Sequence, residues 1–455
     1  MEVEIETNRK FERKALAVDK TKICEPIGAA YASLGIEGCL PVNHGSPGCC
    51  RYIRAELFNI FNKNVKIVST NLKENAAIFG GKENFKAAIK NILINYEPKV
   101  IAVHTTCMSE TIGENMLGLK NEVDIPKDKY LICGSTPSYS GSHITGYSNM
   151  LKAFIDQLTI KSYTKKDNAF IIVGLVYPSD MREIKNIINK INIKYTLFPD
   201  TSNVLDRAIP RKLKEFPKGG TKVLDIVNAE SSKIIISLGT QGAKEAGKLL
   251  ESKSNSIFES LEMPIGIKST DEFINKLLCY YHKEVNKELI EERETLIDLI
   301  NNSYKKIYHM KVAILLDPDT AIPLTEFLCS IGIISKYVMT SVSCSYFEME
   351  ITKIMEKYNI NGLVKSDSDI YELKKCLIEE KVEAIIGESH LSFLSEELNI
   401  PLIKMGFPIE NEYIHLYKPI VGYKGAMNII EKILLVKSFN NSIKTYVNNA
   451  VKVNN

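Results

Sequence analysis

The sequence has no apolar run as long as the roughly 20 residues that a membrane-spanning helix needs, and no block of like charges. Its 58 Lys and Arg residues and 55 Asp and Glu residues are spread along the chain, so it offers no basic surface for nucleic acid or membranes. The start of the chain also lacks the features of a secretion signal. We therefore expect a cytoplasmic protein that binds neither nucleic acid nor a membrane.

Proline, glycine and repeats are also scarce, with 16 Pro and 25 Gly among 455 residues and no fixed-period repeat. Together with 45% hydrophobic and 25% charged residues, this composition is typical of a globular chain and argues against disorder or a solenoid. Because a domain usually has about 100–200 residues, the length predicts about three domains.

Short β-branched segments alternate with polar segments of helical period. The predicted strands are residues 99–107, 168–176, 195–200, 233–240, 311–317, 335–341, 383–388 and 400–406. Ser269 and Glu272 have capping-box spacing ahead of one predicted helix, and Pro178 begins another. Strand–helix alternation predicts an α/β fold with three Rossmann-like, doubly wound parallel-sheet domains.

The boundaries of these domains are predicted from places where a buried strand follows a polar segment. An N-terminal arm is expected at 1–20, followed by α/β domains at 21–165, 166–305 and 306–455. The first domain is of most interest because it holds six of the ten cysteines.

The cysteines of the first domain include no CxxC pair, but three of them lie in suggestive places. Cys107 is the last residue of a predicted strand, at the end where parallel sheets collect ligands. Cys24 and Cys49 lie in predicted loops rich in Gly and Pro, where Gly45 and Gly48 would let the backbone approach a bulky ligand. In a reducing compartment such cysteines are more often functional than disulfide-bonded.

Thiolates are the preferred ligands of iron–sulfur clusters, because soft sulfur donors match iron. Three thiolates are one short of the set for a four-iron cluster, so the remaining ligands would come from a partner chain or from oxygen. The other cysteines are interpreted as small packing residues: Cys39, Cys50, Cys133, Cys279, Cys329, Cys344 and Cys376.

The motifs around these cysteines resemble those of the nitrogenase molybdenum–iron protein beta chain family, in particular its short clostridial form. The matching segments are CEPIGA at 24–29, HGSPGC at 44–49, AAIFGG at 76–81, HTTCMSE at 104–110, TPSYSGSH at 136–143, FPDTSNVLD at 198–206, GGTK at 219–222, FPI at 407–409 and VGYKGA at 421–426. They follow the family order over nearly the whole chain.

The resemblance implies a role for each of the three cysteines. Cys24, Cys49 and Cys107 would bind the beta half of an [8Fe-7S] P-cluster shared with an alpha subunit, which makes 21–165 the cluster-binding domain. Ser138 would add an oxygen ligand in the oxidised state, although the residues alone favour a turn position after Pro137.

The resemblance also implies the partners and the reaction. The chain would form an α2β2 heterotetramer with a homologous alpha chain, and the iron–molybdenum cofactor would lie in the alpha chain. An iron protein that hydrolyses ATP, itself reduced by ferredoxin or flavodoxin, would dock at Phe79 and deliver electrons for the reduction of dinitrogen to ammonia. Without the resemblance, Phe79 could equally be a core residue.

Several positions depart from the usual pattern of the family. Pro47 replaces Gln, which puts the hydrogen bonds of the Cys49 segment in doubt, and Glu25 adds a negative charge that should disfavour a reduced cluster. Asn62 and Lys63 replace a basic–acidic pair, which predicts the loss of any cation bound there in relatives. Gly-Glu-Asn at 113–115 replaces Gly-Asp-Asp.

Other functions of the same superfamily stay open from the sequence. A scaffold subunit for cofactor assembly would usually lack part of the cysteine set, notably Cys107, and acetylene reduction by the complex with the iron protein would distinguish it from an enzyme. A vanadium or iron-only nitrogenase or a tetrapyrrole reductase is a further alternative.

Overall fold

The computed structural model describes residues 4–7, 9–10, 21–161, 166–208 and 216–453. The strands of this part of the chain are β1 Ile5–Glu6, β2 Cys39–His44, β3 Val68–Ser69, β4 Val100–Thr105, β5 Tyr130–Gly134, β6 Lys166–Val173, β7 Tyr195–Phe198, β8 Ser232–Leu238, β9 Ile257–Leu261, β10 Lys311–Leu315, β11 Ile334–Met339, β12 Gly362–Lys365, β13 Ala384–Gly387 and β14 Leu402–Lys404.

The helices are α1 Glu25–Leu34, α2 Pro47–Phe61, α3 Glu74–Phe79, α4 Lys82–Asn95, α5 Cys107–Thr111, α6 Met116–Lys120, α7 His143–Leu158, α8 Pro178–Ile191, α9 Val223–Val227, α10 Lys244–Lys253, α11 Gly266–Tyr281, α12 Lys287–Ile307, α13 Pro318–Ser330, α14 Ser345–Lys357, α15 Ile370–Glu379, α16 Ser392–Leu398 and α17 Gly422–Val453. Short 3₁₀ helices lie at Ala229–Ser231, Ser389–Leu391 and Ile414–Leu416. None of the described helices has the length and apolar character that crossing a membrane requires.

Three parallel sheets confirm the predicted α/β fold. Their strand orders are β3-β2-β4-β5, β7-β6-β8-β9 and β1-β12-β11-β10-β13-β14. The sheets start at β2, β6 and β10, with β1 added at the edge of the third sheet. From each of these strands the chain first adds strands on one side and then continues on the other side, which is the doubly wound topology. The order therefore reverses between β2 and β4, between β6 and β8, and between β10 and β13, and ligand crevices form at such points.

All eight strands predicted from the sequence are present, with bounds that differ by a few residues. They were recognisable because parallel strands buried on both faces form continuous apolar runs, and every residue of β4 is buried. Six strands were not predicted, including β2, which contains Pro41 and Asn43. Ile5 and Glu6 of the predicted arm pair with β12, and the rest of the arm lies largely outside the described residues. The domain boundaries stay predictions.

The two predicted helix starts differ in outcome. Helix α8 does begin at Pro178, and the Asp180 carboxylate accepts a hydrogen bond from the Tyr177 N–H at 3.1 Å. The predicted capping box at Ser269 is wrong, because α11 begins three residues earlier at Gly266. The Ser269 hydroxyl donates instead to Glu262 at 3.2 Å.

The middle sheet joins the other two into one body. Alternate residues of β6 face opposite sides, so Ile171 packs in a core shared with the third sheet and Phe170 in a core shared with the first sheet. At the crevice between β6 and β8, the buried Asp319 carboxylate from α13 accepts backbone N–H bonds from Thr240 at 2.6 Å and from Gln241 and Gly242 at 2.8 Å. This crevice is therefore filled by a side chain of the protein itself.

Candidate metal centre

Each of the three predicted cysteine ligands lies at the beginning of a helix. Cys24 is the N-cap residue of α1, Cys49 is in the first turn of α2, and Cys107 is the first residue of α5. Cys49 is thus helical rather than in a loop, contrary to our expectation. Helix N-termini present unpaired N–H groups and partial positive charge, which stabilise thiolates and anionic clusters.

The fold brings these helix starts to one place. Helices α2 and α5 follow β2 and β4, the two strands that flank the reversal point of the first sheet. Burial raises the pKa of the Cys24 thiol, a hydrogen bond from Ser138 opposes that shift, and the nearby charges of Cys107 and Cys49 raise the pKa further. These interactions place Ser138, Cys107 and Cys49 around Cys24.

The spacing of these groups does not suit a single metal ion. Within the described parts of the chain, no three His, Cys, Asp or Glu side chains converge closely enough to hold one ion. A cluster of several irons distributes its thiolate ligands over different metal atoms, so neighbouring but separate thiols are the donor set that it requires. The sulfur chemistry and the helix N-termini therefore fit a cluster.

The site opens at the surface of the chain. Cys49 and Cys107 are exposed, and Cys24 is half-buried. The Ser46 hydroxyl caps α2 by accepting a hydrogen bond from the Cys49 N–H at 3.3 Å. Pro47 occupies the first helical position, where a missing N–H costs no hydrogen bond. The expected disruption by Pro47 is therefore not seen.

Hydrogen bonds hold the segments of Cys49 and Cys107 against each other. The His44 carbonyl accepts from the Ser109 hydroxyl at 2.8 Å and from the Thr106 hydroxyl at 3.2 Å. Gly45 is needed for this contact, because a Cβ there would lie 2.3 Å from Thr106 Oγ1. We first interpreted Gly45 as making space for the cluster, but the close contact with Thr106 is what requires a glycine there. Gly48 has open space beside it.

Ser138 lies in a turn, as the residues alone predicted, and also beside Cys24, as the resemblance implied. The turn is closed by a hydrogen bond from the Ser140 N–H to the Pro137 carbonyl at 3.0 Å. The residue before Cys24 is hydrogen-bonded to the start of α7, because the His143 N–H donates to the Ile23 carbonyl at 2.9 Å.

Glu25 is not the full negative charge that we expected. Its side chain is buried, and burial raises its pKa to about 7, although the Ser140 hydroxyl donates to its carboxylate at 3.0 Å. Near neutral pH a large fraction of Glu25 is therefore protonated, which reduces its electrostatic effect on Cys24.

Phe79 is not a core residue. It ends α3, and 85% of its surface is exposed, beside Ile78 with 75% exposed. Asn62 is the C-cap residue of α2 in a left-handed conformation. The predicted loss of a cation site at Asn62 and Lys63 stays a prediction.

The remaining cysteines are buried, in agreement with packing roles, with one exception. Cys279, on α11, is exposed. The Cys50 thiol contacts the Ile67 carbonyl at 3.6 Å and does not join Cys49 at the candidate centre.

A carboxylate near Cys24 was missed in the sequence. Glu56 lies seven residues after Cys49, two turns along the same face of α2, and this spacing was the signal that could have revealed it. Burial and then the neighbouring Glu410 raise the pKa of Glu56, and its charge acts on Cys24.

Comparisons with known proteins identify the family of the chain. A family model described as nitrogenase component 1 type oxidoreductase matches residues 24–436. The nitrogenase molybdenum–iron protein beta chain of Clostridium pasteurianum is 40% identical over 427 residues, which cover 93% of each chain. The beta chain of Methanothermobacter thermautotrophicus is 32% identical, covering 94% of this chain and 96% of that one.

Solved structures give the same result. The structure described as nitrogenase Cp1 at pH 6.5 superposes with a TM-score of 0.93 at 40% identity, covering 95% of both chains. A chain of nitrogenase Cp1 at pH 5 has a TM-score of 0.67 at 14% identity, which shows a shared fold only. The chain therefore belongs to the family of nitrogenase component 1 type oxidoreductases, as a homologue of the molybdenum–iron protein beta chains.

Proposed function

We propose that this chain binds the beta half of an [8Fe-7S] P-cluster through Cys24, Cys49 and Cys107 and thereby takes part in electron transfer within nitrogenase. The observation that carries the proposal is the meeting of three thiols from three helix N-termini at the reversal point of the first sheet. Two of these thiols are exposed on the isolated chain, as expected for ligands completed by a homologous alpha subunit.

The protein groups around the site have distinct tasks. Each cysteine lies at a helix N-terminus, whose N–H groups would stabilise an anionic cluster, and the Ser46 cap fixes the first turn that carries Cys49. The Ser138 hydroxyl, beside Cys24, supplies a harder oxygen donor for an oxidised metal. A bound cluster would supply one-electron chemistry, accepting and releasing single electrons.

The same proposal includes the partners. An α2β2 heterotetramer would cover the exposed cysteines, and the iron–molybdenum cofactor would lie in the alpha subunit. The exposed apolar surface of Ile78 and Phe79 would receive the ATP-hydrolysing iron protein. In this assembly the reaction would be the reduction of dinitrogen to ammonia.

Iron analysis of the co-expressed alpha–beta complex tests the proposal. Cys49→Ala and Cys107→Ala should lower the iron content and remove the electron paramagnetic resonance signal of the oxidised P-cluster, because each substitution removes a thiolate ligand. Cys279→Ala is the matched control, since Cys279 is equally exposed but lies on α11, and it should leave both unchanged. A normal iron content in both ligand variants would contradict the proposal.

A further inference from the structure

The exposed tip formed by Ile78 and Phe79 is joined to the candidate metal centre through a buried contact. Gly81 follows the tip by two residues and packs against the end of β2. A Cβ on Gly81 would lie 2.7 Å from Leu72 Cδ2 and 3.2 Å from the His44 ring. Gly81, two residues after the tip, therefore lies close to the last residue of β2.

Glu114 lies between these two parts. Its Oε1 accepts a hydrogen bond from the Gly81 N–H, and its Oε2 lies 3.7 Å from His44 Nε2. Only 7% of the Glu114 side chain and none of the His44 side chain is exposed. His44 Nδ1 contacts the Thr70 hydroxyl at 3.0 Å, whereas His44 Nε2 has no hydrogen-bond partner within the described chain.

His44 in turn is bonded to both cysteine-bearing segments. Its carbonyl accepts hydrogen bonds from Thr106 and Ser109, which lie on either side of Cys107. Its own chain continues through Gly45 to Cys49, and the Gly45 carbonyl accepts from the Leu72 N–H at 2.9 Å. A displacement of His44 would therefore act on Cys49 and Cys107 together.

We propose that Glu114 is a positioning residue that couples docking of the iron protein at Phe79 to the geometry of the cysteine ligands. Docking displaces Gly81, the Glu114 carboxylate moves with it relative to His44, and the change reaches the starts of α2 and α5. The inference rests on the proposed function above.

Electron transfer in the assembled complex with the iron protein tests this role. Glu114→Ala removes the acceptor of the Gly81 N–H, so the rate of electron transfer from the iron protein should fall by at least about fivefold, within the range of typical coupling between sites. ATP hydrolysed per electron should rise. Reduction by a europium(II) chelate without the iron protein, and the resonance signal of the cluster, should not change.

Two further variants make the result specific. Glu114→Gln retains an oxygen acceptor for Gly81 and should restore the rate to within about twofold of the unaltered complex. Glu122→Ala is the matched control. The Glu122 carboxylate also binds helix α4, through Lys82 at 2.6 Å and Lys86 at 2.8 Å. It does not contact His44 or Gly81 in the described contacts. This variant should behave like the unaltered complex.

Hydrogen exchange provides a readout that does not depend on turnover. When the iron protein is trapped on the unaltered complex with ADP and aluminium fluoride, amide exchange should slow in 74–85 and also in 39–50 and 107–116. In Glu114→Ala only 74–85 should respond. Since the first measurement needs no substitution, a lack of response in 39–50 and 107–116 would overturn the coupling even if Glu114→Ala fails to assemble.

Several outcomes would overturn the coupling role. One is an unchanged rate of electron transfer from the iron protein in Glu114→Ala. Another is a loss of europium-driven reduction in that variant as large as its loss of electron transfer from the iron protein. The third is unchanged amide exchange of 39–50 and 107–116 when the iron protein is trapped on the unaltered complex. With a normal cluster signal, each leaves the proposed function intact. Absence of that signal from the unaltered complex would instead overturn the proposed function.

Discussion

His104 shows how a single buried residue makes this protein sensitive to acid. It lies within β4, and neither ring nitrogen has a hydrogen-bond partner in the described chain. Burial lowers its pKa to about 3 from the ordinary 6.5. The unfolded chain therefore binds a proton below about pH 6.5 that the folded chain does not bind, so stability falls as the pH drops from 6.5 towards 3.

We expect His104→Gln to reduce this acid sensitivity. Between pH 7 and pH 5 the unaltered chain should lose about 2 kcal/mol more unfolding free energy than the variant, at about 1.36 kcal/mol per pH unit below 6.5. Urea unfolding followed by circular dichroism at both pH values measures the difference. His282→Asn, which replaces an exposed histidine, is the control, and equal acid sensitivity of His104→Gln and the unaltered chain would contradict the prediction.

At the scale of elements, the packing of α1 on α7 determines where Cys24 lies. Two glycines permit this close crossing. A Cβ on Gly28 would lie 1.8 Å from the His143 carbonyl oxygen, and a Cβ on Gly146 would lie 2.0 Å from the Glu25 carbonyl oxygen. These distances involve backbone atoms, so no side-chain movement can relieve the clash and the helices must separate.

Gly28→Ala and Gly146→Ala should therefore destabilise the protein by about 3 kcal/mol, the upper part of the usual overpacking range. Because Cys24 is the N-cap residue of α1, both variants should also lower the iron content of the complex. Urea midpoints and iron analysis measure the two effects.

Gly48→Ala serves as the control for stability, since the nearest atom to its Cβ would be Ser46 Oγ at 3.7 Å. If Gly28→Ala were as stable as Gly48→Ala, the close helix crossing would not be the cause.

At the scale of the whole molecule, the exposed cysteines allow a test of the proposed partner. In the metal-free chain expressed alone, a maleimide should modify Cys49, Cys107 and Cys279, which are exposed, before the buried cysteines. In the metal-loaded complex with the alpha subunit, Cys49 and Cys107 should be protected, because metal ligation and the partner cover their sulfurs. Mass spectrometry of the labelled peptides measures this, and equal labelling in both forms would contradict the prediction.

The reversal points of the sheets differ in what occupies them. The crevice of the second sheet is filled by Asp319, whose carboxylate satisfies the N–H groups of Thr240, Gln241 and Gly242. The reversal point of the first sheet instead presents the helices that carry Cys49 and Cys107. The first crevice therefore presents exposed thiols at its helix starts, whereas the second is closed by a carboxylate.

The fold class, eight of the strands and the motifs of the family resemblance could be predicted from the sequence. Apolar periodicity and short Gly, Pro and Cys patterns are local properties, so they can be recognised without knowing the fold. Only the tertiary structure showed that Cys24, Cys49 and Cys107 meet, that Glu25 is buried and that Glu114 joins Gly81 to His44. These facts depend on contacts between segments far apart in the chain. Spacing along a sequence does not specify such contacts, because they follow from the packing of the sheet and its helices.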